Sequence, residues 1–404
     1  MRHHKKSLLI VLLVGGAILF LSRCVNQVTG TDPRGKMYAG ATTCRQCHQA
    51  IYDSFFNTAH FKATSKPSEE NILGNFNAGK NIFNYDSITK IVTEKRDSGY
   101  YQVLYINGKE EKAYRFDILF GYRNAQTSVY WQNDQLYELP VSHYNSVNAW
   151  ATSPGFPADH PNFSRVVDQE CLDCHSSNLS MKPGTSMNSD PLLDKQSLVY
   201  GIDCERCHGP GLNHVNYQLA NPELKTAGYM AKTTNLTRQQ KLDACAICHS
   251  GNDKTKIQSR FQFKIGDTLG YFFMPFGNRK SVPDVHGNQF GLLVQSKCFN
   301  VKTMTCETCH DPHKNASDNL AIFSQKCMGC HKQETNNFCP QYASLGESIK
   351  ANCIDCHMPK QTSNTISFQM QQSDIKSLYL LRTHRIAVYK DSMQNKAVAH
   401  KSNL

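Results

Sequence analysis

The chain has 404 residues, 44 Lys and Arg against 33 Asp and Glu, a formal net charge of +11, and 17 Cys with 17 His. It carries no heptads, long repeats or low-complexity tracts, which excludes a coiled coil or a repeat array. Taken alone, the charge suits nucleic acid or an anionic lipid surface, but the cysteine pattern counts against nucleic acid.

Residues 1–23 read as a signal peptide or an N-terminal membrane anchor. Met1 to Lys6 is basic, and Leu8 to Leu21 is an apolar run of 14 residues, within the range of a signal-peptide core and short for a membrane span. Leu21-Ser22-Arg23-Cys24 resembles a lipobox, with Arg23 where a small residue is usual. Lipidation of Cys24 and an uncleaved anchor both predict a chain tied to a membrane and otherwise soluble.

Residues 24–65 hold the first of seven C-x-x-C-H pentads, Cys44/Cys47/His48. No further pentad occurs until Cys171, and residues 66–165 read as a β-rich insertion. Tyr101 to Ile106 ends in Asn107-Gly108, a two-residue hairpin signal, while Thr127 to Trp131 and Leu136 to Val141 flank a second turn at Asn133-Asp134. Pro154, Gly155, Pro157 and Pro161 mark an irregular connection.

Residues 166–404 crowd the other six pentads ahead of a C-terminal tail: Cys171/Cys174/His175, Cys204/Cys207/His208, Cys245/Cys248/His249, Cys306/Cys309/His310, Cys327/Cys330/His331 and Cys353/Cys356/His357. Thr237 can cap a helix over Arg238 to Ala244, and another helix is expected over Asp374 to Tyr389. The fold class expected is mainly α with extensive irregular structure, organised around stacked cofactors, with a β-rich hairpin insertion near the N-terminal side.

C-x-x-C-H is the attachment site of c-type haem: the thiols add to the porphyrin vinyl groups and the histidine ligates the iron from the proximal side. Chance would supply about 0.03 such pentads at this composition, against seven. Zinc also takes C-x-x-C pairs, but zinc ribbons need no histidine directly after the second cysteine. A redox C-x-x-C would need only one pair, and no thioredoxin-like βαβ unit surrounds any of these. Seven covalent haems c are the cofactor complement expected. The interval from Cys306 to Cys327 is too short to build a core of its own, so the haems must serve as core there and the apoprotein should be largely unfolded.

A second axial ligand decides whether a haem carries electrons or binds substrate. His60, His143, His160, His214, His286, His313, His384 and His400 remain after the proximal histidines and after His3 and His4. His60, His214 and His313 lie just beyond a pentad and are held on the wrong side of the haem that they follow, so each should reach a neighbouring iron. His286 and His384 are expected as distal ligands as well, followed by His143 and His160, with His400 in a disordered tail. Met274, Met304 and Met358 are the alternative ligands. Cys298 and Cys339 lie outside every pentad and suit a disulfide in an oxidising compartment.

Losing Arg2, Lys5, Lys6 and Arg23 with residues 1–23 lowers the charge from +11 to +7. Seven haems with their propionates then add about −7 when oxidised and about −14 when reduced. The mature holoprotein is near neutral or acidic, which removes the case for nucleic acid.

The chain resembles the exported multihaem cytochromes c of the cytochrome c-554/c-552 type, the cytochrome c-554 and c-prime group. The resemblance rests on Tyr38-Ala39-Gly40 leading to C-R-Q-C-H with His60, C-E-R-C-H-G-P-G with His214, C-E-T-C-H-D-P-H, and C-I-D-C-H-M-P-K with T-H-R-I downstream. It implies closely stacked, mostly bis-histidine haems that pass electrons between redox protein donors and acceptors at a membrane, in the periplasm or another extracytoplasmic space. The β-rich stretch and the seven pentads depart from a four-haem prototype. An electron-transfer protein is the first reading. The alternative is a multihaem oxidoreductase acting on nitrite, hydroxylamine or related nitrogen and sulfur compounds at one open haem, although no C-x-x-C-K is present.

Overall fold

The computed structural model describes residues 28–185, 190–274, 282–301, 303–335, 337–373 and 375–390. The expected leader, Cys24, Asp374 and His400 lie outside them.

Among the described residues, ten strands precede the second pentad. β1 is Thr64–Ser65, β2 Ile82–Asn84, β3 Thr89–Arg96, β4 Gly99–Ile106, β5 Lys109–Arg115, β6 Ile118–Phe120, β7 Ala125–Gln132, β8 Gln135–Glu138, β9 Val141–Tyr144 and β10 Ala149–Thr152. β2 to β5 form an antiparallel meander, and β1-β6-β7-β9-β10 form a second sheet in which β8 also pairs with β7. Strand alternation sends Phe83 and Ile91 of the first sheet and Leu119, Tyr130, Val141 and Trp150 of the second into one core. Gln102 ties the layers together, donating from Nε2 to the Val141 carbonyl at 2.6 Å. Asn107 and Gly108 both take positive φ, 51° and 77°, which lets a two-residue turn join β4 to β5.

Beyond the sandwich the elements are short. β11 (Ser176–Asn178) pairs with β12 (Val199–Tyr200), and β13 (Lys360–Gln369) with β14 (Lys376–Arg382). Helices Gln169–His175, Cys204–His208 and Ile354–His357 carry pentad residues. Asp168 and Asp203 cap the first two, their side chains accepting from Glu170 N and Arg206 N. Helix Arg238–His249 has the full capping box of Thr237 with Gln240 and runs on through the fourth pentad.

Two expectations are corrected. The protein is not mainly α: 27% is helical and 22% strand, in several sheets. The helix expected over Asp374 to Tyr389 is replaced by β14. Tyr379 there is buried while Leu378 and Leu380 are exposed, an alternation of period two that suits a strand paired to β13. That hairpin seats Phe368 on Tyr144 of the sandwich with ring centroids 4.1 Å apart. Among the described residues, no helix is long and apolar enough to cross a membrane.

Candidate haem-binding cleft

A continuous cavity of about 3570 Å³ runs between the short elements. It is lined by six pentad histidines (His48, His175, His208, His249, His310, His331) and by His60, His214, His286, His313 and His384.

The seventh pentad departs from the other six. Cys353, Cys356 and His357 all lie off the cavity, and only their neighbours Ile354 and Met358 reach it. Helix Ile354–His357 is the reason: it turns the buried Ile354 inward, and Cys356, two residues on, stands about 200° round the helix from it. Cys356 is half-buried there. The seventh pentad's cysteines thus stand at the edge of the cavity, with Cys353 beside Ser324 and Cys327 of the sixth.

Four pentad histidines each face a histidine from a distant part of the chain. Ring centroids are 6.4 Å apart for His48 and His214, 5.8 Å for His208 and His313, 6.2 Å for His310 and His384, and 6.0 Å for His249 and His60. With metal–imidazole bonds of about 2.0 Å, two rings sharing one metal would stand about 6 Å apart between centroids. The donor set therefore fits an iron between each pair. His60, His214 and His313 each face a pentad other than the one that they follow. His286 lines the same cavity with His175 and His249 as electrostatic neighbours. Burial drives His60, His175 and His384 down to about 4, so all three are neutral donors at physiological pH.

The backbone sets these rings. The His60 carbonyl accepts Ile202 N at 2.8 Å, where Gly201 (φ 61°) passes so close to Phe61 that a Cβ would sit 1.8 Å from its carbonyl oxygen. Nδ1 donates to the carbonyl of Gly228 from His214 (2.9 Å), of Asn337 from His331 (2.7 Å) and of Ala387 from His357 (2.9 Å). His249 Nδ1 donates to Gln289 Oε1 at 3.1 Å. In each case this fixes the tautomer and leaves Nε2 to ligate.

Neighbouring pentads touch. Cys44 and Cys204, Cys174 and Cys248, and Cys245 and Cys306 stand beside one another in pairs, and Ser324, ahead of the sixth pentad, accepts Cys353 N of the seventh at 2.9 Å.

A family model described as cytochrome c554 and c-prime matches residues 43–82 and 142–209, which hold the first three pentads. The chain is 22% identical over 202 residues to the multihaem cytochrome MtrA of Shewanella baltica (strain OS185), covering 46% of this chain and 59% of that one. It thus spans less than two thirds of that relative's length. The crystal structure of the outer cell wall cytochrome OcwA matches with a TM-score of 0.53 at 16% identity, over 89% of this chain and 82% of that one. The chain is a multihaem cytochrome c. Haem c is its cofactor.

Not every histidine named from the cytochrome's sequence reaches the cleft. His143 sits in β9, buried, its ring 5.5 Å from that of Trp150 in the sandwich core. His160 is solvent-exposed, its Nδ1 2.7 Å from Asp159 Oδ1. Met304 and Met358 line the cavity, whereas Met274 does not. The disulfide expected between Cys298 and Cys339 is absent, both being free. Cys298 lies in the turn Lys297–Val301, with Cys330 as its electrostatic neighbour.

Sequence reasoning missed a buried ionic knot between the first and third pentads. Arg34 bonds Asp32 (2.8 Å), Asp203 (2.6 Å) and Glu205 (3.1 Å), every side chain being at most 8% exposed. Glu205 also accepts Ala39 N, Gly40 N and Gly211 N at 2.7–2.8 Å. Asp203 caps the C-E-R-C-H helix, and nothing in the sequence pairs it with Arg34, 169 residues away. Arg34→Met should cost the cytochrome about 3–5 kcal/mol, because it strands buried carboxylates. Chemical denaturation of the holoprotein checks this, and a loss below about 1 kcal/mol would contradict it.

Glu138 on the cavity wall is pushed up to about 7 by burial, only partly offset by Arg165. Its folded value exceeds the ordinary 4.5, so its contribution to stability is full below about 4.5 and is lost as pH rises towards 7. Glu138→Gln should flatten the stability–pH curve across that window in thermal unfolding.

Proposed function

We propose that this cytochrome holds seven haems c and relays electrons between redox proteins outside the cytoplasm, tied to a membrane through its N-terminal segment. The observation that carries the reading is the set of four histidine pairs 5.8–6.4 Å apart, each joining a pentad to a distant residue. An iron held on both faces by neutral imidazoles has no position left for substrate and exchanges only electrons. Because His60, His214 and His313 each reach across to another pentad, the ligands that fill one site also fix its neighbour's position. Cys44 lies beside Cys204, Cys174 beside Cys248 and Cys245 beside Cys306, so the attachment points of the first and third, second and fourth, and fourth and fifth sites are adjacent, the spacing that fast transfer requires. The matches to MtrA and OcwA agree with this reading.

A second reading has one specific observation behind it. Among the described residues, no histidine ring stands against His175, His331 or His357 as the four partners do against theirs, although His175 has His286 as an electrostatic neighbour, and His143 and His160 lie away from the cleft. An open iron at any of these three would make the oxidoreductase reading hold at that site. Stopped-flow oxidation of the fully reduced holoprotein separates the two. Fast electron loss to an oxidised acceptor cytochrome, with slow loss to nitrite or hydroxylamine, is the result expected; rapid turnover of either small molecule would favour the enzyme.

A further inference from the structure

Buried charge is distributed unequally over the cleft. At the first and third sites one guanidinium, Arg34, faces three carboxylates, Asp32, Asp203 and Glu205, a net charge of −2 on side chains at most 8% exposed. The second site, Cys171 to His175, instead has a buried cation. Arg260 is buried, 2% exposed, and has no carboxylate partner. Its Nη1 donates to Cys174 Sγ at 2.6 Å, its Nη2 donates to Asn252 Oδ1 at 2.8 Å and the Gly251 carbonyl at 3.4 Å, and its guanidinium lies 5.3 Å from the Phe273 ring. Its Nε has no partner at all.

Three other cations face the same site. Arg206 reaches from the third pentad to donate to the Asp173 carbonyl at 3.2 Å, Lys256 pairs with Asp173 at 2.8 Å and Glu170 at 3.7 Å, and Arg165 lies 3.5 Å from Glu138. Counted with Asp168, which caps the pentad helix, four carboxylates (Glu138, Asp168, Glu170 and Asp173) match the four cations, so what sets this site apart is that Arg260 is buried with no carboxylate against it. A buried positive charge favours the reduced, less positive iron, and a buried negative charge the oxidised one; low local dielectric makes both effects larger than in water.

Resting on the haem reading above, we infer that these residues impose a redox slope, with the His48 and His208 sites at low potential and the His175 site at high potential, and that Arg260 is the residue that raises the latter. One electron leaves a ferrous iron at the low end and is taken up by a ferric iron at the high end, with no bond made or broken and no proton required. Arg260 acts through the thioether cysteine and touches no reacting group, so it is a positioning residue for the electron.

Spectroelectrochemical titration of full-length holoprotein tests this, after pyridine haemochrome has confirmed seven haems in each variant. Arg260→Gln should lower the midpoint of one haem by a tenfold or greater change in its reduction equilibrium, about 59 mV for one electron, and Arg260→Lys should restore most of it. Glu205→Gln should raise the lowest midpoint in the parent titration. Unchanged midpoints in Arg260→Gln, or equal shifts in the Gln and Lys variants, would overturn the inference. Should Arg260→Gln fail to accumulate, an unmoved midpoint in Glu205→Gln overturns it instead. A haem count below seven in the parent protein would refute the haem reading itself, a result distinct from all of these.

Discussion

Produced without haem attachment, the chain is expected to keep its β-sandwich and lose the structure of the segment that bears its last three pentads. The two sheets own a core, with Phe83, Ile91, Leu119, Leu139 and Val141 all at most 1% exposed and Trp150 at 5%. The segment bearing the last three pentads has almost none: among the described residues from 303 to 357, Ser324 and Ile354 alone are buried. Its short helices line a cavity of about 3570 Å³, and porphyrin faces must supply the apolar surface that side chains do not. Limited proteolysis of cytoplasmically produced apoprotein should leave a fragment from about residue 64 to about residue 200, because Val167, Leu172, Leu179 and Leu193 pack with Ile118, Val129 and Leu136 of the sandwich, and cut freely from 303 to 357, while far-UV circular dichroism keeps a strand signal. Apoprotein that resisted protease throughout would mean that the pentad region has a core independent of haem.

Removing a distal histidine should change the spin state of one haem and leave the others alone. His60→Ala, His214→Ala, His313→Ala and His384→Ala each take away one ring of a pair standing 5.8–6.4 Å apart. Each oxidised variant should show a new high-spin ferric signal amounting to one haem, with that haem now able to bind cyanide or nitric oxide. His143→Ala and His160→Ala should show none. His143→Ala should nevertheless lower the thermal midpoint, since it opens a gap beside Trp150 in the sandwich core. A high-spin haem in either of those two variants, or its absence from the other four, would redraw the ligand pairing.

The chemistry of this chain was far more legible in its sequence than its architecture. A pentad is local: two thiols and an imidazole within five residues specify attachment and proximal ligand without reference to the fold. Where a pentad faces is not local, and nothing in C-I-D-C-H told that Cys356 and His357 would turn away from the cavity that the other six line. Distal partners are not local either, yet the reasoning that a histidine three residues past His310 is held on the wrong side of its own haem pointed His313 elsewhere, and the structure sets it against His208. His143 looked similar in sequence but alternates inward on β9, which sequence position alone does not reveal. The expectation of a mainly α fold extrapolated from the short pentad helices and overlooked how many strands could form around them. β13 and β14 pair across a turn that has no strong hairpin signal, and the run Leu378 to Leu381 reads as readily as a helix face until Tyr379 is seen beneath it. Arg34 and Arg260 were invisible for another reason: burial of a charge is a tertiary property, and neither lies within a recognisable motif.

The measurement that tests the central claim most directly is EPR of the oxidised holoprotein as isolated, with its haem content fixed by pyridine haemochrome. Seven haems per chain, at least four of them low-spin with bis-histidine signatures, is the result predicted from the four paired rings. Fewer than seven haems, or a spectrum dominated by high-spin iron, would contradict a histidine-bridged electron relay.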